Sequence, residues 1–302
     1  VSSLVDLANQ ILDERAKLGG VFSGDDDREA INDFLRVGTS AGGARAKAIL
    51  AWNKETNEFR SGQVEAGTGF EYWIMKFDGI TSSTDTEVIT PKGYGKIEYA
   101  YHLMAVEAGI EMTTCRLHHE GSRSHFMTKR FDRSVSGRKL HMQSLGAIAH
   151  YDYRQPASYS YEQAIQVIRR LGLPRKDMEQ QVLRAIFNIV GRNCDDHVKN
   201  IAFLMNRRGE WRLSPAFDIS YAWNPGGEWT SQHQMSVNGK RDGFEREDLF
   251  ALAKAADIKK ARAEQMIQRV IEVVRRWPDF AGEAGVNDEQ IKKIKAVHRT
   301  NL

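Results

Sequence analysis

Long hydrophobic runs, a cysteine framework and a strong net charge are all missing from this sequence of 302 residues. No apolar run is long enough to cross a membrane and no signal-peptide pattern opens the chain, so we expect no membrane association and a cytoplasmic localisation. The two cysteines, Cys115 and Cys194, do not form a C-x-x-C pair. Two isolated cysteines cannot build a disulfide framework, so we expect free thiols in a reducing compartment.

The formal charge of +3 is too small to indicate nucleic-acid binding by itself. Positive charge is concentrated at residues 129–133 and 292–295, and we expect the second group to be a solvated surface. The length is sufficient for one large core or for two lobes. The first residue is Val rather than Met, so the sequence is expected to be a fragment, a split-gene product or a trimmed form of a longer protein.

The order of predicted elements changes from strands to helices along the chain. Strand-like apolar runs surround a single helical segment in the first part, at residues 49–52, 72–77, 97–105 (the helix), 112–117 and 124–131. Helical spacing of apolar residues dominates the second part, at residues 161–171, 178–190, 247–256, 258–276 and 288–298. Strands followed by helices predict an α+β fold with two lobes.

The most informative stretch is N-C-D-D-H-V-K-N at residues 193–200, which follows an apolar helix. It places Asp195 five residues before Asn200, and a predicted hairpin over residues 201–213 would return the chain to Asp218 beside Asn200. Protein kinases use this spacing for a base that accepts the hydroxyl proton and for two Mg²⁺ ligands. The alternative interpretation is a solvated polar loop, because D-x-x-x-x-N also occurs by chance.

A second candidate is the loop rich in small residues at 37–48. Its Gly42, Gly43 and Ala44 would let backbone N–H groups approach phosphates, and Arg45 and Lys47 would add positive charge. The loop matches neither the Walker form nor a strict G-x-G-x-x-G, so an ordinary flexible loop remains an alternative.

Lys76 is the third candidate, because a lysine inside an apolar strand is costly unless its charge is paired. In kinases such a lysine contacts the α- and β-phosphates and is held by a helical glutamate. Glu98, in the predicted helix, is the available partner. The alternative is that Lys76 points into solvent from an edge strand.

With these segments in order, the chain resembles the HipA-like serine/threonine kinases, the toxins of bacterial HipA/HipB-type toxin–antitoxin modules. The resemblance rests on R-F-D-R at 130–133, N-C-D-D-H-V-K-N at 193–200 and S-P-A-F-D-I-S at 214–220. It extends from about residue 37 to the end of the helical region. It implies a kinase-like fold with a strand-rich N-lobe and a mostly helical C-lobe.

The resemblance implies a role for each residue of the second half. Asp195 would be the catalytic base, with Asn200 and Asp218 as Mg²⁺ ligands. His197 and Lys199 would support the loop and its charge balance.

For the first half, the resemblance implies that Lys76 contacts ATP phosphates. Lys129, Arg130 and Phe131 match the hinge that contacts adenine through its backbone. Ser40, in the loop that covers the phosphates, matches the serine that family members phosphorylate on themselves, which shuts off their activity. Added negative charge beside a triphosphate is also inhibitory on electrostatic grounds.

The expected organisation is an N-terminal helix and linker at residues 1–30, an N-lobe at 31–135 and a C-lobe at 136–302, without most of the family's additional N-terminal subdomain. The resemblance implies ATP- and Mg²⁺-dependent phosphorylation of a translation protein such as an aminoacyl-tRNA synthetase. It also implies a HipB-like DNA-binding antitoxin, through which this chain would contact DNA mainly indirectly.

Two functions of other classes stay open from the sequence. One is a catalytically silent, kinase-shaped binding module that acts with a repressor. The other is a small-molecule phosphotransferase that shares the same motif logic. A metal-dependent hydrolase is disfavoured because the histidines do not fall at ligand spacing.

Overall fold

The computed structural model describes residues 47–62, 65–78, 93–134 and 137–302. The chain divides into two units, one that runs to Tyr99 and includes Thr113–Lys139, and one formed by Ala100–Met112 and Leu140–Leu302. The predicted mixture of strands and helices is present. The boundaries expected near residues 30 and 135 stay predictions, and both lie outside the described residues.

The first unit contains a five-stranded antiparallel sheet of order β2-β1-β3-β5-β4. Its strands are β1 (Lys47–Asn53), β2 (Phe59–Ser61), β3 (Phe70–Lys76), β4 (Cys115–Glu120) and β5 (Arg123–Lys129). Aromatic and apolar side chains form its core, in which the rings of Trp52 and Trp73 meet edge to face at 5.9 Å. Because β3 lies in the middle of the sheet, Lys76 does not lie on an edge strand, and that alternative is wrong.

Helix α1 (Tyr94–Glu107) follows the third strand, where the sequence predicts a helix. Its first turn lies against β5, and a Cβ on Gly95 would stand 2.2 Å from the carbonyl oxygen of Ser124. Only glycine permits this approach, since real Cβ atoms essentially never come within 3 Å of another heavy atom. The close packing fixes the start of α1 and thereby the position of Glu98, one turn further on.

The second unit contains a three-stranded antiparallel sheet of order β6-β7-β8 and most of the helices. The strands are β6 (His141–Ser144), β7 (Ala202–Met205) and β8 (Trp211–Leu213), and the last two form the predicted hairpin. The helices are α2 (Leu145–Ala149), α3 (Tyr161–Arg170), α4 (Arg175–Val190), α5 (Arg246–Ala255), α6 (Lys260–Arg275), α7 (Trp277–Glu283) and α8 (Asp288–Lys295).

Five described elements differ from the sequence expectation. Strands β2 and β6 and helix α2 are short and partly polar, so they carry little hydrophobic periodicity. Helix α7 was not predicted either, and it carries Pro278 in its first turn, where proline is well tolerated. The strand expected from residue 112 begins only at Cys115, because Met112 bridges to Ala216 in the second unit.

Both cysteines are free and buried, as predicted for free thiols. Burial raises the pKa of Cys115 and that of Cys194 to about 12, so neither thiol is a ready nucleophile. Across the described residues, no helix is long and apolar enough to cross a membrane.

Candidate active site

The first unit brings Lys76 and Glu98 together. The Nζ of Lys76, at the end of β3, donates a hydrogen bond to Oε1 of Glu98 on α1 at 2.5 Å. The two side chains are 12% and 2% exposed, so the pair is largely withdrawn from water. A buried ion pair is costly to desolvate and holds its geometry only when both partners are fixed. Here a central strand and a helix anchored through Gly95 fix them.

Lys47 lies directly opposite Lys76 in the register of β1 and β3. Directly opposed residues of an antiparallel pair project from the same face of the sheet, and like charges in that position repel. The other predicted phosphate-loop residues, Gly42, Gly43, Ala44 and Arg45, and the predicted modification site Ser40 lie outside the described residues.

The stretch predicted as an adenine-binding hinge follows β5. The backbone N–H groups of Lys129 and Arg130 donate to the carbonyl oxygens of Thr114 and Tyr72 at 2.9 and 2.8 Å. Both N–H groups are therefore used within the first unit. An adenine contact made by this stretch would have to use its carbonyls or the backbone of Phe131, so the hinge assignment stays a prediction.

The side chains of the R-F-D-R motif form a clamp around Asp132. Arg130 donates through Nε and Nη2 at 2.8 and 2.6 Å, and Arg133 donates through Nη1 at 2.7 Å. Burial by itself would raise the pKa of Asp132, but the hydrogen bonds and charges of Arg130 and Arg133 outweigh burial and lower that pKa. The guanidinium of Arg130 is thus committed to Asp132, which indicates a structural role for its side chain.

In the second unit, loop 193–200 begins where α4 ends. Gly191 caps the helix, and its carbonyl oxygen accepts a 2.6 Å hydrogen bond from the hydroxyl of Tyr101. Arg192 then takes a left-handed backbone conformation at φ 57°. Asn193 is tied back to the helix, since its Nδ2 donates to Oδ1 of Asn188 at 3.0 Å. These contacts set the path by which the chain leaves the helix.

Asp195 and Asp196 are neighbours in sequence but differ completely in environment. The side chain of Asp195 is 53% exposed, whereas that of Asp196 is fully buried. Asp196 accepts hydrogen bonds from the hydroxyl of Tyr161 at 2.8 Å, from Nδ1 of His233 at 2.8 Å and from the backbone N–H of Gln234 at 2.7 Å. Asp196 is therefore a structural anchor, and Asp195 is the carboxylate presented to solvent.

The hydrogen-bond network around Asp196 extends to Arg299, near the end of the described chain. Nη1 of Arg299 lies 3.0 Å from Nε2 of His233, and because a guanidinium can only donate, Nε2 is the acceptor and Nδ1 carries the proton. Arg299 also donates to Asp242, and its backbone N–H donates to the carbonyl of Val190 at 2.9 Å. The sequence analysis did not identify this network. No local motif could indicate it, because its members are far apart in the chain.

The predicted Mg²⁺ ligands lie on either side of the hairpin. Nδ2 of Asn200 donates to the backbone oxygen of Asp195 at 2.8 Å, so the amide nitrogen is committed and its oxygen remains as the possible metal ligand. Asp218 holds a left-handed backbone at φ 54°, a conformation that costs energy and concentrates at functional sites. Its carbonyl oxygen lies 3.5 Å from Nδ2 of Asn193, which ties it to loop 193–200.

This donor set fits magnesium. Mg²⁺ prefers oxygen ligands and is usually held by one or two protein oxygens together with phosphates and water. An amide oxygen and a carboxylate meet that description. The described residues contain no group of three or more His, Cys, Asp or Glu that could hold a metal.

His197 and Lys199 follow Asp195 in the same loop. Nε2 of His197 lies 3.8 Å from Oδ1 of Asp195, a separation too long for a hydrogen bond. The ammonium of Lys199 lies 3.8 Å above the centre of the Tyr153 ring, and the same ring meets His197 edge to face at 5.7 Å. Tyr153 was not identified from the sequence.

Comparison with known proteins agrees with these observations. Residues 39–277 match the family described as the HipA-like C-terminal domain. No curated protein matches the sequence significantly.

Among solved structures, the chain resembles HipA of Shewanella oneidensis MR-1, solved with HipB and operator DNA, with a TM-score of 0.62 and 18% identity. The match covers 85% of this chain and 62% of that protein, so the chain spans less than two thirds of its length. A weaker likeness, with a TM-score of 0.47 and 12% identity, is to the proinflammatory kinase CtkA of Helicobacter pylori and covers 76% of this chain and 88% of CtkA. The predicted α+β, kinase-like fold class is confirmed.

Proposed function

Because this chain belongs to the HipA-like C-terminal domain family, we propose that it is an ATP- and Mg²⁺-dependent serine/threonine protein kinase. The observation that carries the proposal is the division of labour between the two adjacent aspartates. The carboxylate of Asp196 accepts three buried hydrogen bonds and thereby fixes the loop. The same loop presents the half-exposed carboxylate of Asp195 to solvent. A general base needs such access to the proton that it accepts.

Each predicted residue then has a role for which its environment is suitable. Asp195 accepts the proton of the acceptor hydroxyl, while Asn200 and Asp218 hold the metal through oxygen atoms. Lys76, fixed by Glu98, neutralises the charge of the nucleotide phosphates. Bound ATP supplies the γ-phosphoryl group. The protein supplies position and charge, which is most of what phosphoryl transfer requires.

The Lys–Glu pair also favours a kinase over a silent binding module. A buried ion pair gives little net stability compared with apolar residues of similar size, so a chain without nucleotide chemistry gains little by keeping one. Lys47, opposite Lys76, adds a second cation to the same face of the sheet.

We extend the proposal to the biological setting. HipA of Shewanella oneidensis MR-1 is part of a toxin–antitoxin system with HipB and operator DNA. By analogy, this chain acts in the cytoplasm as a toxin, is neutralised by a HipB-like antitoxin and reaches DNA mainly through it. Its substrate is a protein, with a translation component such as an aminoacyl-tRNA synthetase as the proposed target.

Regulation by self-phosphorylation is a further part of the proposal. Ser40 is the predicted acceptor, in the loop with Gly42 and Gly43. A phosphate on Ser40 brings nearly two negative charges to the loop that would cover the triphosphate, and repulsion between the two would inhibit ATP binding.

The test is incubation of the protein with Mg²⁺ and γ-labelled ATP, followed by phosphopeptide mapping. We expect label on Ser40 in the wild type and a loss of about 100-fold or more in Asp195→Asn, since a positioned base contributes roughly that much. The Ser40→Ala variant, mixed with inactive Asp195→Asn protein as acceptor, separates loss of the acceptor serine from loss of activity. Equal labelling of the wild type and Asp195→Asn would overturn the proposed mechanism. Absence of label from both, with a phosphate-free preparation, would favour the binding-module alternative.

A further inference from the structure

We infer that Tyr153 is a positioning residue that fixes the ammonium of Lys199 within the loop that carries Asp195, an inference that rests on the proposed kinase function. Three contacts carry it. The ammonium of Lys199 lies 3.8 Å above the centre of the Tyr153 ring. The edge of the same ring meets the His197 imidazole at 5.7 Å, and Nε2 of His197 lies 3.8 Å from Oδ1 of Asp195.

The Tyr153 ring is mounted on a well-anchored turn. The backbone N–H of Tyr151 donates to the carbonyl of Gly146 at 2.9 Å, and the rings of Tyr151 and Tyr159 stack with 4.3 Å between their centres. The backbone N–H of Asp152 donates to the hydroxyl of Tyr159 at 2.8 Å. The backbone at Tyr151 and Asp152, directly before Tyr153, is therefore held by two hydrogen bonds and a stacked pair of rings. The Tyr153 ring extends from this fixed backbone.

The aliphatic stem of Lys199 is confined as well as its ammonium group. A Cβ added to Gly146 would lie 3.7 Å from Cγ of Lys199, so the lysine stem passes the face of α2 at a position that has no side chain. The stem is thus confined by α2 and the ammonium by an aromatic face. A free lysine side chain has four rotatable carbons and would otherwise spread its charge over a wide volume.

The exposure of the Tyr153 side chain also supports a positioning role. Tyr153 is 41% exposed, one of the few large apolar or aromatic side chains of the described residues left so open to solvent. Burial of apolar surface therefore does not explain why an aromatic residue occupies this position. An aromatic face attracts a cation through its quadrupole, and the attraction persists at partly exposed sites. The ring therefore acts as a platform for the cation, and the consequence is a fixed positive charge in the loop that carries the proposed base.

The test compares Tyr153→Leu, which keeps apolar bulk but lacks the aromatic face, with Tyr153→Phe, which keeps the face. We expect kcat for phosphoryl transfer to fall about threefold to tenfold in Tyr153→Leu and to stay within about twofold of wild type in Tyr153→Phe. The KM for ATP should change less than kcat. In the Lys199→Met background, Tyr153→Leu should have little further effect on kcat.

A second readout does not depend on activity. Acylation of lysines with a small amine-reactive reagent, followed by mass spectrometry, should label Lys199 about twofold or more faster in Tyr153→Leu, relative to the exposed Lys254 on α5 as the internal control. Unchanged labelling together with unchanged kcat would overturn the inference. Equal loss of kcat in Tyr153→Leu with and without Lys199 would also overturn it, because the ring would then act independently of the lysine. An inactive wild type would instead refute the proposed function, and the positioning role with it.

Discussion

The Lys76–Glu98 pair of the first unit and loop 193–200 of the second unit hold their charges in opposite ways. The lysine donates a short hydrogen bond to the carboxylate of Glu98 and also lies 5.8 Å from the centre of the Phe126 ring. The loop is held by a network in which the carboxylate of Asp196 receives three donors and His233 passes the connection on to Arg299. The first site joins elements that follow one another in the chain, whereas the anchor of the loop joins residues that lie far apart in it.

The difference follows from what each site has to position. A lysine that neutralises phosphate charge must place one ammonium, and a central strand already fixes its Cα. A loop that presents a base and a metal ligand must fix the backbone of several residues outside regular secondary structure, so it needs many tertiary contacts. The comparison predicts that the first site is sensitive to a single change in charge, whereas the second separates into residues for chemistry and residues for anchoring.

The largest expected effect is in the metal site, with Asp218→Asn. Asparagine tolerates the left-handed backbone of Asp218, so the change removes charge with little added strain. We expect Mg²⁺-dependent ATP affinity, measured by calorimetry, to fall about 100- to 1,000-fold while the free energy of unfolding changes little. Binding measured without Mg²⁺ is the control. Equal affinity of both proteins in the presence of Mg²⁺ would exclude Asp218 as a ligand.

The next effect separates the two partners of the first site. Lys76→Met leaves the carboxylate of Glu98 buried without this cation, which should lower the free energy of unfolding by about 3 kcal/mol. Glu98→Gln leaves Lys76, the more exposed partner, and should destabilise less while still weakening ATP binding. Urea unfolding of both variants measures the asymmetry. Equal destabilisation by the two changes would show that the environment of the pair, rather than the buried carboxylate, sets the cost.

For the loop, the informative contrast is between Asp196→Asn and Asp195→Asn. Replacing the anchor places an amide donor among three donors, so the free energy of unfolding should fall by about 2 kcal/mol. Replacing the exposed neighbour should change stability by less than about 0.5 kcal/mol and abolish transfer. A stable Asp196→Asn variant would remove the distinction between anchoring and chemistry in this loop.

Local patterns in the sequence were sufficient for part of this picture. The helix ending at Val190, the β7–β8 hairpin and the helix that carries Glu98 all follow from runs of apolar residues and turn residues close together in the chain. The contact between Lys76 and Glu98 was expected because a lysine within an apolar strand requires a partner. The roles assigned to these residues stay predictions.

The anchor of the loop could not be predicted in the same way. Tyr161 and His233 lie 35 and 37 residues from Asp196, and neither separation matches a helical or strand period. The spacing to Asn200 selects Asp195 as the candidate base, but nothing in the sequence indicates that Asp196 is the anchor. What separates them is burial, which is decided by tertiary packing. The platform formed by Tyr153 escaped notice for the same reason.

Acid should lower the stability of the second unit, because two of its buried histidines have lowered pKa values. Burial lowers the pKa of His102 to about 4 and, with a smaller contribution from the charge of Arg192, that of His298 to about 3. Both histidines belong to the second unit. Because the folded pKa lies below the unfolded value of about 6.5, the unfolded state binds protons first, so stability is highest above pH 6.5 and decreases as the pH drops towards 4.

The slope is at most about 1.4 kcal/mol per pH unit for each histidine. Urea unfolding between pH 7 and pH 4.5 measures it, and His298→Gln, which carries no titrating ring, should make the dependence shallower. Nε2 of His298 lies 2.9 Å from the Tyr101 hydroxyl that donates to Gly191, so acid should loosen the point where loop 193–200 begins. An identical slope in the variant would exclude His298 as a contributor.

The smallest effect tests how far the anchoring reaches. Ser160 caps α3, where its Oγ accepts from the backbone N–H of Gln163 at 3.2 Å and the Gln163 side chain accepts from the backbone N–H of Ser160 at 2.8 Å. The next residue, Tyr161, donates to Asp196. Ser160→Ala should therefore lower the free energy of unfolding by about 1 kcal/mol, and Ser160→Thr, which keeps the cap, should not. If the anchor is as redundant as its many contacts imply, kcat of Ser160→Ala should stay within about twofold of wild type below the unfolding transition. A larger loss of kcat would mean that the loop depends mainly on Tyr161 and that its other contacts do not compensate for a weakened Tyr161.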